Sequence, residues 1–174
     1  FGSIVASGPN TANPHAVPSD RVIEKGDFVL MDYGAGYCDY RSDMTRTVVM
    51  GEPTQEQFDL YALVRRTHEE CVAAIHPGVE GNDIFKLSKK IIGDAGYGDY
   101  YNHGLGHGVG IDIHELPNFN RSKNTIEIGS VVTMEPGVYL PGVGGVRLED
   151  YGVVTENGYE PFTKTPHDLH VIDC

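Results

Sequence analysis

The segment GDFVLMDYG, residues 26–34, and the segment GSVVTMEPG, residues 129–137, share one arrangement of residue types. Each has a glycine, a polar residue, four mainly apolar residues, an acid, one further residue and a closing glycine. A short apolar run bounded by glycines is typical of a buried strand. The sequence therefore predicts two related halves, each with a buried strand that carries an acid, Asp32 or Glu135, near its end.

A second acid follows the first strand at a distance that fits a hairpin. A turn at Tyr37 and Cys38 would place Asp43 opposite Asp32 across two antiparallel strands. Directly opposed residues lie about 4.5–5.5 Å apart at Cβ. The first half thus predicts one pair of neighbouring carboxylates.

The second half repeats this arrangement, since a turn at Gly142 would place Glu149 opposite Glu135. Four carboxylates in one place repel one another, which raises their pKa values. Two divalent cations would balance the four charges, so the pattern predicts an oxygen-rich site for two metal ions. Each acid alone is more typical of a turn, a cap or a solvated strand end. Their matching places in two halves favour the metal site.

The segment HGLGHGVGIDIHE, residues 103–115, holds three histidines between these motifs. Each of its alternating glycines would cost a helix about 1 kcal/mol, so an extended segment with one bare face is predicted. In an extended chain His103 and His107 stand roughly 13 Å apart, at about 3.3 Å per residue. His107 and His114 would then point to opposite faces. At most one of the three is expected to bind a metal, and singly each is more typical of a hydrogen-bonded structural histidine.

The composition restricts the class of protein. A chain of 174 residues that is 40% hydrophobic can bury one core. The net charge of −12, without a basic run, argues against nucleic acid and anionic membranes as partners. No apolar stretch approaches 18 residues and no signal-like segment is visible. Cys38, Cys71 and Cys174 are widely spaced and indicate neither a disulfide framework nor a metal-binding pair, so a reducing cytoplasm is the expected location.

Two amphipathic helices are predicted before the second half. The first begins with a capping box of Thr54 and Gln57, and the second ends at Gly96. Their predicted apolar faces run through Phe58, Ala62, Val72 and Ile75, and through Ile84, Leu87, Ile91 and Ala95. The repeat implies a matching helix pair before the first half, and the chain opens instead at FGSIVASG, in a strand pattern. We therefore expect a domain that is truncated at its N-terminal side.

Three segments carry a resemblance to a known family: DYGAGYCDYRSDMTRT, HGLGHGVGIDIHE and TMEPGVYLPGVGGVRLED. They are similar to the signature segments of the pita-bread metallopeptidases, which comprise Xaa-Pro aminopeptidases, Xaa-Pro dipeptidases (prolidases) and methionine aminopeptidases. The resemblance implies an α+β fold with a curved, mainly antiparallel sheet, outer helices and a pseudo-twofold repeat. It implies that residues 1–174 are a catalytic domain whose front is missing.

The resemblance also implies a set of metal ligands, none of them substituted here: Asp32, Asp43, His107, Glu135 and Glu149. By this similarity Asp43 and Glu149 bridge two divalent ions, which would be manganese, cobalt or zinc. Asp32 completes one ion, and His107 and Glu135 complete the other. A water between the ions would attack the scissile carbonyl as hydroxide, and Glu135 would also carry its proton to the leaving nitrogen.

Other residues match positions that line the family's substrate site. His15, His103 and His114 would act there without binding metal, with His15 and His114 holding the substrate and the tetrahedral intermediate. Arg147 in GGVRLED, and His15 in NPHAVPS, are typical of the Xaa-Pro branch, and Arg147 is expected to contact the substrate as well. Without the resemblance, Arg147 would be interpreted as half of a surface ion pair. Arg121 falls where some dipeptidases bind the substrate's free carboxylate, although a lone loop arginine is usually solvated.

Three classes of function fit these motifs. The expected function is hydrolysis of Xaa-Pro bonds, by an aminopeptidase or a dipeptidase, with a peptide as the substrate and a homodimer as the intact protein. A methionine aminopeptidase would use the same ligands with a different pocket. A non-catalytic binding module of the same fold would be expected to have lost ligands, and all five are present.

Overall fold

The computed structural model describes residues 2–121 and 123–173. Within these ranges the helices are α1 (Gln55–Ala73) and α2 (Gly81–Asp94), with 3-10 helices at Gly8–Ala12 and Gly98–Tyr100. The strands are β1 (Ile4–Ser7), β2 (Phe28–Tyr33), β3 (Gly36–Tyr37), β4 (Tyr40–Arg41), β5 (Met44–Met50), β6 (Val79–Glu80), β7 (Gly106–Gly108), β8 (Glu115–Phe119), β9 (Thr125–Ile126), β10 (Val131–Met134), β11 (Gly137–Leu140), β12 (Gly144–Arg147), β13 (Asp150–Thr155), β14 (Gly158–Pro161) and β15 (His170–Ile172).

Two main sheets organise these strands. The first has the order β1-β2-β5-β15 and the second the order β14-β13-β10-β7-β8. Pairing is antiparallel throughout both sheets, except that β15 runs parallel to β5. An isolated backbone bridge connects Thr45 in β5 with Glu149, just before β13. This bridge joins the first half of the chain to the second.

The two strands predicted to be equivalent begin in the same way. Gly26 and Gly129 both hold a positive φ, +89° and +85°, a conformation that glycine adopts without a steric penalty. The amide of Gly26 donates to the carbonyl of Met50, and that of Gly129 donates to the carbonyl of Val154. The repeated sequence frame therefore corresponds to a repeated local structure at the start of β2 and β10.

The first hairpin turns one position later than the sequence predicted. Cys38 and Asp39 have φ values of +47° and +67°, the two left-handed residues that a tight hairpin turn requires. Asp32 therefore pairs with Thr45, and the predicted pairing with Asp43 was wrong. When the turn moves along the chain by one residue, the residue that pairs with Asp32 moves by two. Because side chains alternate along a strand, Asp43 keeps the face of the sheet that it was predicted to have.

The second hairpin turns where it was predicted to turn, at Gly142, which has a φ of +81°. Glu135 and Glu149 lie between two ladders, β10–β13 on one side and β11–β12 on the other. Both ladders have the same register. Glu135 and Glu149 consequently occupy facing positions between these ladders.

The histidine-rich segment is extended only in part. Strand β7 covers three residues, and the chain bends over residues 110–114 before β8 pairs back onto β7. The ring of His114 thus packs against that of His107, with the centroids 4.3 Å apart. The prediction that these two side chains point to opposite faces was wrong, because it assumed one continuous strand.

The glycines around His107 permit a close approach of neighbouring backbone. A Cβ on Gly106 would lie 2.2 Å from the carbonyl oxygen of Thr133, and one on Gly108 would lie 2.7 Å from that of Leu116. Both distances are far inside van der Waals contact. Glycine at these positions therefore lets β7 fit between β10 and β8, which fixes the place of His107.

Both predicted helices are present. Thr54 and Gln57 form the predicted capping box at the start of α1, and Gly96 follows α2 with a φ of +88°. The apolar face predicted for α1 was wrong at Phe58, which is 53% exposed, and at Ala62, which is also exposed, whereas Val72 is partly buried and Ile75, beyond the end of the helix, is buried. The residues that α1 buries are Leu60, Tyr61, Leu63, Val64, Thr67, His68 and Cys71. Thr67 and His68 are polar and lie on this buried face, so the apolar residues alone do not show its helical periodicity.

The face predicted for α2 is correct at its centre. Ile84 and Ile91 are buried and Leu87 is partly buried, whereas Ala95 lies beyond the helix and is exposed. No helix in the described ranges is long and apolar enough to cross a membrane. Cys38 and Cys71 carry free thiols, and Cys174 lies outside the described residues.

The substitution Gly106→Ala should destabilise the protein, because the added methyl group would collide with the Thr133 carbonyl. Overpacking of this kind costs about 1–3 kcal/mol, measured here as the free energy of unfolding in urea. Gly93→Ala is the control, since a Cβ on this exposed residue of α2 meets nothing within 4 Å. It should stabilise the helix by up to about 1 kcal/mol. Equal stability of the two variants would contradict the packing argument.

Candidate metal centre

A cleft of about 850 Å³ collects most of the residues that the sequence predicted for the site. Its lining includes Asp32, Asp43, His107, Glu135, Glu149, His15, His103, His114 and Arg147. Arg121 is not part of this lining. It lies in an adjoining pocket with Lys89, and the two pockets share His103, Gly104 and Asn120. The structure therefore brings all predicted ligands together and sets Arg121 to one side.

The predicted ligands lie within bonding reach of a common centre. The Nε2 atom of His107 is 3.4 Å from Oε1 of Glu135 and 3.8 Å from Oδ2 of Asp43. One ligand atom from each of Asp43, His107 and Glu149 lies within 4.8 Å of the other two. A metal ion bonded at about 2.0–2.2 Å gathers its ligands over a span of this order.

The hydrogen bonds of His107 and His103 distinguish the two rings. Nδ1 of His107 lies 3.0 Å from the carbonyl oxygen of Gly108, which can only accept, so the proton is on Nδ1 and Nε2 is free to bind a metal. In His103, Nδ1 donates to the carbonyl of Gly104 at 2.6 Å. Its Nε2 accepts from the hydroxyl of Tyr139 at 2.9 Å. Both nitrogens of His103 are engaged with the protein.

The electrostatics of the cleft favour a bound cation. Burial, followed by repulsion from Glu149 and Asp32, raises the pKa of Asp43 to about 9. Burial also raises the pKa of Glu135 well above its ordinary value, and that of Glu149 to about 7. Lost hydration and mutual repulsion make ionisation unfavourable in the absence of a counter-charge. A nearby divalent ion would reverse this balance.

Two carboxylate oxygens in the cleft have no partner within the protein. The Oδ1 atoms of Asp32 and Asp43 are buried and accept no hydrogen bond. A buried acceptor without a partner is unfavourable, and a coordinated metal ion removes the deficit. Four carboxylates with one free imidazole nitrogen therefore fit a pair of divalent cations that prefer oxygen ligands.

Arg147 lies at the base of the cleft and is only 3% exposed, so its interpretation as a surface ion pair was wrong. One of its terminal nitrogens donates to Oδ2 of Asp32 at 2.6 Å, and Nε donates to the hydroxyl of Thr45 at 3.1 Å. The other terminal nitrogen donates to the hydroxyl of Tyr139 and to the carbonyl of Pro14. These contacts hold Asp32 in place and commit the guanidinium to the protein.

Thr45 and Tyr139 belong to the site and were missed in the sequence. The hydroxyl of Thr45 donates to Oε2 of Glu149 at 2.6 Å, and Tyr139 connects Arg147 to His103. Thr45 is two positions after Asp43, and alternate residues of an extended chain point to the same face. This spacing could have identified Thr45 from the sequence. Tyr139 is only eight residues from Arg147, across the predicted hairpin, whereas its contact with His103, 36 residues away, carried no signal in the sequence.

The two remaining histidines are exposed in the cleft. His15 lies in the segment after the first 3-10 helix, and His114 lies in the bend before β8 with its ring against His107. Neither ring is enclosed by the core. Both are therefore accessible to a molecule that enters the cleft.

Comparison with known proteins agrees with this geometry. The family model described as metallopeptidase family M24 matches residues 1–156. The Xaa-Pro dipeptidase of Pyrococcus furiosus is 45% identical over 170 residues, which are 97% of this chain and 49% of that protein. The chain thus spans about half the length of the curated relatives it matches.

Solved structures match over a similar share. The prolidase of Pyrococcus horikoshii OT3 has a TM-score of 0.95 at 43% identity, and covers 97% of this chain and 49% of its own. The X-Pro aminopeptidase of Thermotoga maritima has a TM-score of 0.96 at 37% identity, and the match covers 99% of this chain and 49% of that protein. These likenesses confirm the predicted pita-bread fold class.

The variant His107→Ala should lower the metal affinity of the intact protein, whereas His103→Ala should leave it nearly unchanged. Of these two histidines, His107 is the one with a ring nitrogen free to face the carboxylates. The dissociation constant for at least one ion should rise about tenfold or more in the first variant. Mass spectrometry of bound manganese, cobalt or zinc after equilibrium dialysis measures this. A similar loss in both variants would contradict the assignment.

The metal-free protein should lose stability as the pH rises from about 5 to about 9. Asp43 and Glu149, with pKa values of about 9 and about 7 when folded, keep protons that the unfolded chain releases near 3.8 and 4.5. Stability falls with pH wherever the folded state binds more protons. Bound metal would keep these carboxylates ionised, so the metal-loaded protein should lack this fall. Melting temperatures of both forms across this range test it, and parallel curves would contradict it.

Proposed function

This chain belongs to metallopeptidase family M24, and from that premise we propose that the intact protein hydrolyses Xaa-Pro peptide bonds with two divalent metal ions. The observation that carries the proposal is the convergence of Asp43, His107 and Glu149 in one cleft, with Glu135 beside them. The names of its relatives, Xaa-Pro dipeptidase and X-Pro aminopeptidase, support the substrate class. Residues 1–174 would supply the metal-binding part of the catalytic domain.

The proposed roles follow from the positions of the side chains. The metal ions would be held by Asp32, Asp43, His107, Glu135 and Glu149. When bound, they would acidify a water for attack and polarise the scissile carbonyl. Glu135 lies beside the imidazole of His107. We propose that its carboxylate takes up a proton from the attacking water and delivers it to the leaving nitrogen.

His114 and His15 are proposed to bind the substrate. Both are exposed in the cleft, and His114 packs against His107, so that its ring lies beside the reacting centre. An imidazole N–H there would donate to the carbonyl oxygen as negative charge develops on it. His15 lies on a separate segment of the cleft wall and would hold the rest of the peptide.

Selection of proline has to use the shape of its ring, because an Xaa-Pro amide has no N–H to recognise. The cleft lining includes apolar side chains from two segments, Val17 and Pro18 in one and Ile113 and Leu116 in the other. We propose that these residues form the pocket for the proline ring. Val17 and Leu116 are 82% and 72% exposed, which leaves their apolar surface available to a ligand.

The substrate class can be tested on intact protein loaded with manganese, cobalt or zinc. Ala-Pro, Ala-Pro-Ala and Met-Ala are the substrates to compare. The proposal expects cleavage of the bond before proline and little cleavage of Met-Ala. Cleavage of Met-Ala alone would favour a methionine aminopeptidase. Bound metal without any hydrolysis would favour a non-catalytic binding module.

Two features of the intact protein stay predictions. We propose that it is a homodimer, which sedimentation velocity would test. We also propose a reducing compartment, in keeping with the free thiols of Cys38 and Cys71. The identity of the native metal among manganese, cobalt and zinc would be settled by metal analysis of protein purified without added ions.

The variant Arg121→Ala should distinguish a dipeptidase from an aminopeptidase. Arg121 is exposed in the pocket that joins the cleft beside His103. A dipeptidase binds the free carboxylate next to the scissile bond, and losing a charged contact of this kind costs about 1.5–3 kcal/mol. In a dipeptidase, kcat/KM for Ala-Pro should therefore fall about tenfold or more, and far less for Ala-Pro-Ala.

The matched control is Lys123→Ala, which removes a neighbouring exposed cation. It should leave both rates nearly unchanged. Equal losses on the dipeptide and the tripeptide in Arg121→Ala, or no loss on either, would exclude Arg121 as the carboxylate ligand. An aminopeptidase would then be the better interpretation.

A further inference from the structure

A second group of metal-ligating side chains lies apart from the cleft, and the proposed reaction does not use it. It consists of His68 on α1, Asp150 at the start of β13 and His167 in the segment that follows β14. One ligand atom from each of these residues lies within 4.8 Å of the other two. We refer to the three residues as the His-Asp-His cluster.

His68 is the unusual member of this cluster. It is 2% exposed, and neither of its ring nitrogens has a hydrogen-bond partner. Its Nε2 atom points at the cluster, 3.3 Å from Oδ2 of Asp150. A buried polar atom that makes no hydrogen bond is unfavourable unless something binds it. The geometry of His68 therefore points to an occupant between it and Asp150.

Asp150 is oriented toward the two histidines by Arg46. Nη2 of Arg46 donates to Oδ1 of Asp150 at 2.6 Å. The other oxygen, Oδ2, faces Nε2 of His167 at 2.6 Å and Nε2 of His68. Because one carboxylate oxygen is committed to the guanidinium, the second is directed into the cluster. His167 has a side chain that is 29% exposed, so the cluster is open to solvent on one side.

We propose that the His-Asp-His cluster is a further metal site, which binds one zinc ion through Nε2 of His68, Oδ2 of Asp150 and Nε2 of His167. Two imidazoles and one carboxylate, with an open fourth position, are an established zinc ligand set. In a tetrahedral site with bonds of about 2.0–2.1 Å, neighbouring ligand atoms stand roughly 3.3 Å apart. The contact between His68 and Asp150 already has this length.

Binding requires one local rearrangement at His167. Its contact with Asp150, at 2.6 Å, is a hydrogen bond and is shorter than two zinc ligands would be. The ring must therefore move outward and carry its proton on Nδ1, leaving Nε2 free for the ion. His167 lies in a non-helical segment and is partly exposed, so this movement does not disturb the core.

The charges of the cluster suit zinc and distinguish it from the cleft. Arg46 and Asp150 balance each other, so the ligand set is close to neutral, as in zinc sites built from three histidines. Imidazole ligands favour zinc over manganese, magnesium or calcium, whereas a carboxylate-rich set favours the harder ions. The cluster should therefore bind zinc in preference to manganese.

An ion at this position would have a structural role. It would join α1, β13 and the segment of His167 at one centre. Arg46 also donates to the carbonyl of Glu149 at 2.6 Å and to that of Thr165 at 2.9 Å. The ion would thus fasten the chain after β14 to β13, which begins directly after Glu149.

The test compares zinc content in the intact protein and its variants. Chelator-stripped protein is equilibrated with excess Zn²⁺, freed of unbound ions, and analysed for zinc per chain. His167→Gln should hold one zinc fewer than the wild type. His167→Cys should retain that zinc, because a thiolate replaces the lost ligand. His76→Gln, at an exposed histidine beyond the end of α1, is the control and should match the wild type.

Because the readout is a difference between matched proteins, it does not depend on how many ions the cleft binds or on peptidase activity. Equal zinc content in the wild type and His167→Gln would overturn the proposal and leave the cluster as a hydrogen-bonded network. With cobalt in place of zinc, the visible absorption per chain should be stronger in the wild type than in His167→Gln, because the variant lacks one four-coordinate ion. Loading with Mn²⁺ should give equal metal contents in all four proteins, and a difference there would contradict the preference for zinc.

Discussion

Repulsion among four carboxylates, three of them buried and that of Glu135 partly buried, is the constraint around which this chain is arranged. Asp32, Asp43, Glu135 and Glu149 come from two hairpins and line one cleft, where burial removes the water that would screen them. Each would be easier to bury if it were neutral, and the raised pKa values of three of them express this. The protein supplies one permanent counter-charge, Arg147. In the metal-free protein the rest of the compensation comes from protons that these carboxyl groups keep, and bound divalent cations would take the place of those protons.

Arg147 also explains how ligands from two halves of the chain keep a common geometry. Its guanidinium contacts Asp32 and Thr45 in the first half and Tyr139 in the second, and Tyr139 in turn holds His103. A single buried side chain therefore fixes parts of two hairpins at once. Replacing Arg147 would remove a counter-charge and would leave several buried polar atoms without partners. A single substitution therefore cannot separate its electrostatic role from its role in positioning the neighbouring side chains.

Much of the fold followed from local sequence patterns, and the errors have identifiable physical causes. The repeated glycine frames, the capping box and the turn at Gly142 were predicted correctly, because glycine and capping residues act through their own backbone. The turn at Cys38 and Asp39 was misplaced by one position, since neither residue marks a left-handed conformation as glycine does. Contacts between distant residues, such as the burial of Arg147, have no signal in a local pattern. The ligand set itself stays a prediction.

The bridge between Thr45 and Glu149 bears on the ancestry of the repeat. Asp32 pairs with Thr45 in the first hairpin, and Glu135 faces Glu149 in the second, so the two bridged residues occupy equivalent places in the two halves. A symmetric assembly of two identical half-chains would have to carry the same residue at both places. Two glutamates would face each other with like charges, and two threonines would provide no carboxylate. Fusion of the halves into one polypeptide removes this restriction, since one copy can keep the acid while the other evolves the hydroxyl that donates to it.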